Sequence, residues 1–395
     1  MARKIVLLSS SFPPDYGAGS IRSYHLATSL HNNSKTKLTV ITSSPKRYLS
    51  ENHSKFDLGS IDVRRCPAVS VRGQKMREIL SFIRFASFVI TSIITSKDRP
   101  DLVVATSSKF GTALLAFMVS KFIGSKVFFD IRDIFSHSLR GVSSSIPTRV
   151  LTALLEQIEI FTFSRADGLN FVSPGFQKLF DNKKLNRKIS LIPNGVDEIF
   201  LNDFQVDHCE NENNDTRYRR ILYAGNFGQA QDLSSFLRTL EPAAELLACY
   251  EFCFIGAGVQ EIELKNISTL GTLNINLAEL RPREQLIYDY HNADALLLTL
   301  KRSPVFETVI PSKIFEYLAT GRPILAGVKG FTADFVSQFD GVFVFDVDCK
   351  DSFINSLKKA TAGKRYDRRK QLSEYTRTRT INRLVAEINK VSNRA

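Results

Sequence analysis

The sequence predicts an α/β fold of two doubly wound parallel-sheet domains in tandem, and three observations carry that expectation. The chain has 395 residues, long for one ordinary core and suited to two. Short, wholly apolar runs alternate with helical stretches along both halves, as in parallel strands covered on both faces. Between the halves lies "CENENNDTR" at 209–217, polar, acidic and without periodicity, which reads as a linker or loop. A hydrophobic share of 43% and a charged share of 24% belong to a globular chain rather than a disordered one.

In order, "KIVLLSS" (4–10) is a first strand, and its run from Ile5 to Ser9 is too short for a signal peptide. "GSIRSYHLATSLHN" (19–32) is an amphipathic helix with Ile21, Tyr24, Leu26 and Leu30 near one face. Strands follow at 37–43, 101–107, 126–133, 168–174 and 188–194. Residues 72–100 stand apart: basic at first, then apolar from Ile79 to Ile94 with Arg84 interrupting. That span is short of the ~20 residues that cross a bilayer. It fits a buried helix of the first domain, or a helix in the membrane interface with Lys75, Arg77 and Arg84 toward headgroups and the Phe residues inserted.

The second half repeats the style, with strands expected at 219–226, 250–258, 267–273, 293–300, 322–328 and 341–347. A boundary near Asn194–Asp207 gives domains 1–195 and 196–365. The basic helical end, 366–395, with Leu372, Tyr375, Ile381, Leu384, Val385 and Ile388 as its apolar positions, is expected to pack back on the first domain.

The formal charge is +13, and residues 1–195 hold 28 basic against 13 acidic residues while the remainder holds 25 against 27. The excess points to an anionic partner for the first half: a phospholipid surface, a lipid phosphate or nucleic acid. The cysteines Cys66, Cys209, Cys249, Cys253 and Cys349 form no CxxC pair, and no His stands near Cys249 and Cys253. They read as buried reduced thiols of a cytosolic protein.

Ligands of open α/β sheets sit beyond the carboxyl ends of the strands. After the first strand, Pro13-Pro14 sets an extended turn, and Gly17 and Gly19 let backbone approach an anion at a helix start, or simply close a turn. Asp130, Arg132 and Asp133 end a buried run, where charges are costly unless paired or used. They read as an Arg–Asp brace or as carboxylates touching acceptor or donor. Gly225, Asn226 and Gly228, then Gly256 and Gly258, form two glycine loops able to cradle phosphate. In "ETVIPSKIFEYLATGRPIL" (307–325), Pro311 suits a first helical turn. The free N–H groups there favour phosphate, helped by Ser312 and Lys313, and Glu316 can accept from both ribose hydroxyls. The ordinary alternative is a surface Lys–Glu pair worth about 0.3 kcal/mol. The four residue types agree instead on a nucleoside diphosphate.

The stretches "SFPPDYGAGSIRSYHLATSL", "DIRDIF", "FVSPGF", "LIPNGVD", "YAGNFGQAQDL", "FIGAG" and "PSKIFEYLATGRPIL" together resemble the family-4 retaining glycosyltransferases of the GT-B fold, nearly end to end. The likeness is nearest to bacterial O-antigen and capsule enzymes, and within them to the L-fucosamine transferase group. The resemblance implies two Rossmann-like domains with a cleft between them. It implies a nucleotide-sugar donor, UDP-linked, held mainly by the second domain, and a lipid-linked or saccharide acceptor on the first. It also implies retained anomeric configuration, no metal, and a cytoplasmic enzyme at the inner membrane face, on an anionic surface, with no nucleic acid. Of the family's two glutamates separated by seven residues, Glu316 matches the second; the first falls on Thr308, with Glu307 one place early. The family's Arg and Lys for the diphosphate fall near Asn226 and Gln231, so Lys313 is expected to supply that charge. The acceptor-domain polar residue, commonly His, corresponds to "DIRD", with Asp133 first and Asp130 and Arg132 beside it. "DVD", Asp346 to Asp348, mimics the metal motif of another transferase fold but ends a strand past the donor helix, and reads as structural. Two other readings compete. An epimerase of the same architecture needs paired carboxylates or a His base, and the six His do not cluster. A nucleic-acid-binding protein would interleave aromatic and basic residues, whereas here the aromatics sit in apolar runs.

Overall fold

The computed structural model describes every residue except 1, 16, 33–35, 46–55, 70–73, 97, 108–109, 143–145, 181–184, 186–188, 203–217, 361–363 and 394–395. The linker expected at 209–217, with Cys209, lies outside the described residues. The chain forms two compact units, 1–194 with 377–395, and 195–376.

The first unit runs β1 (Arg3–Ser9), α1 (Ala18–His31), β2 (Thr36–Ser43), β3 (Asp62–Cys66), α2 (Gln74–Ile94), β4 (Leu102–Ser107), α3 (Phe110–Ile123), β5 (Lys126–Ile131), α4 (Phe135–Val142), α5 (Ile146–Ser164), β6 (Gly168–Phe171), α6 (Pro174–Lys178) and β7 (Ile189–Leu191). Its seven strands are parallel, in the order β3-β2-β1-β4-β5-β6-β7. Leu7 on the central β1 faces Val40 and Val104 across the ladders, and β4 is buried along its whole length, which is why these strands read as unbroken apolar runs. β3 escaped the sequence reading because Asp62, Arg64 and Arg65 interrupt it, the charged composition of an edge strand.

Alternate residues of a strand serve opposite faces. Phe128 of β5 lies in one core with Leu26 and Leu30 of α1 and with Ile381, Leu384 and Ile388. The next residue, Phe129, meets Phe163 of α5 on the other face.

The second unit holds α7 (Glu198–Asn202), β8 (Arg219–Asn226), α8 (Leu233–Leu240), β9 (Tyr250–Ala257), α9 (Glu261–Leu270), β10 (Ile275–Ala278), α10 (Arg283–His291), β11 (Ala295–Thr299), α11 (Lys313–Ala319), β12 (Ile324–Gly327), α12 (Gly330–Val336), β13 (Val342–Phe345), α13 (Lys350–Lys359) and α14 (Arg369–Leu372). Its six strands are parallel, in the order β10-β9-β8-β11-β12-β13. One expected strand is corrected: Ile267–Leu270 ends α9, Gly271 closes it at φ 68°, and the strand comes after, at 275–278. Leu264 and Ile267, both buried, are three apart, the spacing of a helix face, and a left-handed glycine is a common helix terminator.

The chain end also differs from one helix over 366–395. Residues up to Thr376 stay in the second unit, where Leu372 is buried beside Phe315 and Tyr375 packs on Phe315, Phe335 and Phe339. The buried Arg368 caps carbonyls of Asp340, Leu318 and Arg322 at 2.5–3.3 Å. Only α15 (Arg377–Asn393) belongs to the first unit, against α1. The described cysteines are free; Cys66 and Cys253 are buried, but Cys249 and Cys349 are exposed, contrary to the expectation. Among the described residues no helix is long and apolar enough to cross a membrane.

Candidate functional site

In the second unit the structure assembles a charged cluster around Glu316, in the first turn of α11. Lys313 Nζ donates to Glu316 Oε2 at 3.0 Å and to the Tyr290 hydroxyl at 3.3 Å. Tyr290 donates to the same carboxylate oxygen at 3.4 Å, and Arg283 Nη2 reaches Oε1 at 3.4 Å. Arg283, the first residue of α10, is also ion-paired to Asp197 and lies 5.0 Å over the Phe200 ring of α7. Tyr317, one residue after Glu316, accepts from the Ala224 N–H of β8 at 3.0 Å, fixing α11 against the central strand.

Tyr290 and Tyr317 are fully enclosed, whereas Lys313 keeps 25% and Glu316 18% of its side chain exposed. The carboxylate is thus mostly enclosed, with a small part of the side chain in contact with solvent. Burial opposes its charge, but Lys313 and then Arg283 override that and hold its pKa below the usual glutamate value. Burial likewise opposes the Lys313 ammonium, and Glu316 overrides it, so its pKa is raised. Tyr290 is raised well above the usual phenol value by burial and then by Glu316, so it stays a donor. A carboxylate has about four lone-pair sites and these contacts use three, while Lys313 spends two of its three donors.

Several expectations change here. α11 has seven residues and starts at Lys313, so Pro311 stands ahead of its first turn, and Ser312 makes no capping bond. The Lys313 ammonium lies on Glu316 and Tyr290 rather than at the start of the helix. Arg283 and Tyr290 were not singled out from the sequence; they reach Glu316 from α10 and no local pattern marks them, while Asp197, the last residue of "LIPNGVD", pairs with Arg283.

The two glycine loops stand side by side at the carboxyl ends of β8 and β9, with Gly225 opposite Gly256. A Cβ at Gly256 would lie 1.9 Å from the Gly225 carbonyl oxygen, and one at Gly258 would lie 2.4 Å from that of Phe227. These two glycines therefore let the loops touch each other, a role that the sequence reading had given to a ligand. At Gly228 a Cβ would meet only the movable ends of Asn226 and Gln231. Asn226 is exposed at the end of β8. The loop closes on Asp232, in the left-handed region at φ 50°, whose carboxylate accepts from Ser235 at 2.8 Å and Gln260 at 3.1 Å.

Glu307 lies in a short 3-10 turn against Gly330, apart from the contacts of Glu316. Asp346 pairs with Lys329 at 2.6 Å and Asp348 with Arg302 at 3.7 Å. Among the described residues no three His, Cys, Asp or Glu side chains gather as a metal set.

In the first unit, Asp130 is corrected from a candidate catalytic carboxylate to a buried brace. It is 0% exposed and accepts Arg22 Nε at 2.7 Å, Arg22 Nη2 at 2.9 Å and Asn170 Nδ2 at 2.7 Å. Arg22 also donates to the carbonyls of Pro193 at 2.7 Å and Ile192 at 3.2 Å. No surface of Asp130 remains for a substrate. Arg132 lies over Gly19, where a Cβ would be 2.5 Å from its Nη1. Burial, then Arg22, lowers its pKa to about 10. Gly17 is exposed, extended at φ 173°, and would tolerate a side chain. Asp133, raised by burial and steadied by Ser138 Oγ at 2.7 Å, shares a small recess with Ser107 and Glu159. Glu159, not foreseen from the sequence, accepts the N–H groups of Phe135 at 2.9 Å and Ser136 at 3.4 Å at the start of α4, together with the Ser136 hydroxyl. Burial pushes its carboxyl up to about 7 despite those bonds, and Asp133 adds to the rise.

No protein-family profile and no curated protein matches the chain. Solved structures do. Anabaena Alr3699/HepE in complex with UDP and glucose is similar with a TM-score of 0.67 at 14% identity, over 98% of this chain and 99% of that one. Sucrose-phosphate synthase from Thermosynechococcus elongatus gives 0.64 at 12% identity, over 99% and 96%. A putative UDP-N-acetylglucosamine 2-epimerase from Listeria monocytogenes gives 0.59 at 14% identity, over 99% and 97%. At such identity it is the architecture that is shared: two all-parallel α/β units, of seven and six strands, in the GT-B fold.

Proposed function

We propose that the chain is a retaining, family-4-like glycosyltransferase that moves a hexosyl group from a nucleotide sugar. The observation that carries this reading is Glu316, a mostly enclosed carboxylate that keeps 18% of its side chain exposed and is steadied by Lys313, Tyr290 and Arg283 on the second unit. Its free face suits the two hydroxyls of a ribose. The third donor of Lys313 suits the adjoining diphosphate, and Asn226, exposed at the end of β8, is assigned to the same role. UDP is the nucleotide, by the resemblance of the motifs and the UDP in the HepE complex. In the transfer, the bond from the anomeric carbon to the diphosphate oxygen breaks as the acceptor hydroxyl oxygen bonds to that carbon. The acceptor proton passes to the departing phosphate oxygen, whose developing charge the protein must meet. Lys313 meets it without a metal in this reading, so chelators leave the rate unchanged.

The finer assignment follows the motif resemblance: an N-acetyl-L-fucosamine or related amino-deoxy sugar, passed to a lipid-linked saccharide for O-antigen, capsule or another surface polysaccharide, at the cytoplasmic face of the membrane. On the first unit Asp133, with partial exposure, is the residue assigned to the acceptor. The test is thermal stabilisation across UDP, GDP, ADP and dTDP. UDP at 100 times its Kd is expected to add about 2.7 kcal/mol, and Glu316→Gln to lose that gain while still unfolding in one cooperative transition, at a lower midpoint. Equal response to all four, or none, defeats the donor reading. The Listeria likeness supports a second reading, epimerisation; conversion of a UDP-sugar to its epimer with no acceptor present would decide for it.

A further inference from the structure

We propose that the second unit carries a site for a small α-amino acid between α10 and the edge of its sheet, and that the occupant tightens donor binding at Glu316. The site stands on its own geometry, and only its effect on the donor rests on the transferase reading. Alternate residues of a strand share a face. Leu222 of β8 and Asn276 of β10 both pair with Cys253 of β9, and Ala278 pairs with Ile255. With Arg220, two places before Leu222, they form one strip of the sheet beside the edge strand β10. A recess of about 100 Å³ opens on this strip and is bounded by Arg281 and by Asp289 of α10. It has room for several waters or one small metabolite.

Its polar groups are only partly used. Glu251 accepts Arg220 Nε at 2.9 Å, Asn276 Nδ2 at 3.1 Å and the Cys253 thiol. Burial, then that bond, pushes the thiol up to about 12, so Cys253 stays neutral and is no nucleophile near pH 7. Among the described residues the two Nη groups of Arg220 make no hydrogen bond. Asp289 is 8% exposed; its Oδ1 accepts from Arg281 Nη1, while its Oδ2 is buried with no partner. Such an oxygen is costly, and beside a cavity it marks the place of a ligand's N–H.

The charges select the class. Arg220–Glu251 and Arg281–Asp289 are two ion pairs, so the recess carries no net charge and favours neither a plain anion nor a plain cation. The second unit holds 20 basic against 26 acidic residues, the first 33 against 14, so no surplus of positive charge draws an anion here. A zwitterion answers both ends. Its ammonium donates to Asp289 Oδ2, its carboxylate accepts from the Arg220 Nη groups, and a short alkyl group lies on Leu222, Ile255 and Ala278. Arg283 and Tyr290, seven apart, turn one face of α10 to Glu316, and Asp289 stands just before Tyr290. An occupant held by Asp289 anchors that turn of the helix, so less ordering remains when the donor binds.

The probe is L-alanine, titrated into the full chain by calorimetry, where saturable binding is expected. Ethylamine and propionate each keep one of its charged ends and bind at least roughly tenfold more weakly. Asp289→Asn loses the L-alanine signal, and so does Cys253→Met, which fills the recess with an unbranched side chain; both still unfold cooperatively and respond to UDP. Saturating L-alanine lowers the Kd for UDP about fivefold, and UDP lowers that for L-alanine by the same factor. No saturable binding of L-alanine overturns the site, as does equal binding of propionate or ethylamine, or L-alanine binding that survives in both variants. L-alanine binding that leaves UDP affinity unchanged overturns the coupling through α10. A chain that binds L-alanine and never UDP upholds the site and defeats the donor reading instead.

Discussion

Glu316 is reached by an ammonium, a phenol and a guanidinium, and the three act differently. Lys313 sits in the same helix and supplies charge; Tyr290 supplies a buried neutral donor; Arg283 carries the link on to Asp197. Arg283→Lys is therefore expected to raise the donor KM several-fold with kcat nearly unchanged, because it disturbs orientation rather than chemistry. Combined with Glu316→Gln, the loss is less than additive; a fully additive double variant would remove Arg283 from this role. The pH profile follows from the signs. Glu316 is held below its unfolded value, so its charge is present above that value and lost only as pH falls through the lower folded one. Lys313 is raised, so its charge survives until pH climbs past that raised value. Affinity for a UDP-sugar, whose esterified diphosphate does not ionise in this window, is thus expected to be flat from about pH 5 to about pH 9; a titration near pH 7 in calorimetric binding would contradict it. In the first unit, Arg22→Met leaves Asp130 charged and buried, with a stability loss of about 3–5 kcal/mol in denaturant unfolding. The Lys313–Glu316 pair was legible because helical neighbours three apart share a face. Tyr290 and Arg283, 26 and 33 positions from Glu316, leave no local pattern, and nothing in the string distinguished Asp130 as a brace from a catalytic group.

Among the elements, the apolar strands of both sheets were plain in the sequence, because central parallel strands bury both faces and admit few polar residues. The misses have one cause: a local pattern that fits two states. β3 carries three charges in five residues because an edge strand needs few apolar ones. The stretch 267–273 looked like a strand until Gly271 showed it to be a helix end. The start of α4 illustrates what only packing reveals. Its N–H groups are received by Glu159, whose carboxyl burial lifts to about 7 against an ordinary 4.5. A raised folded pKa means the native state binds the extra proton, so stability falls as pH rises through that window. The span is worth roughly 3 kcal/mol by the conversion of 1.36 kcal/mol per pH unit. Glu159→Gln is expected to flatten unfolding free energy between pH 5 and 7, and an unchanged slope would place the titration elsewhere.

At the scale of the molecule, the two-unit plan was legible from the chain length, the alternation of runs and the polar stretch at 209–217. The crossing back at Thr376 was not, because 366–376 and 377–395 share one basic helical composition. UDP is expected to slow amide exchange in α10 and α11 of the second unit and to leave β4 and β5 of the first unchanged; protection confined to the first unit would reverse the donor assignment. The opposite charge excess of the units has a colloidal consequence. Near the isoelectric point of about 9.5 the molecule is neutral only in total, since one unit remains positive while the other remains negative. Neighbouring chains would then attract in dilute buffer, positive lobe to negative lobe. Added electrolyte, rather than a shift of pH, would be what keeps a concentrated preparation clear.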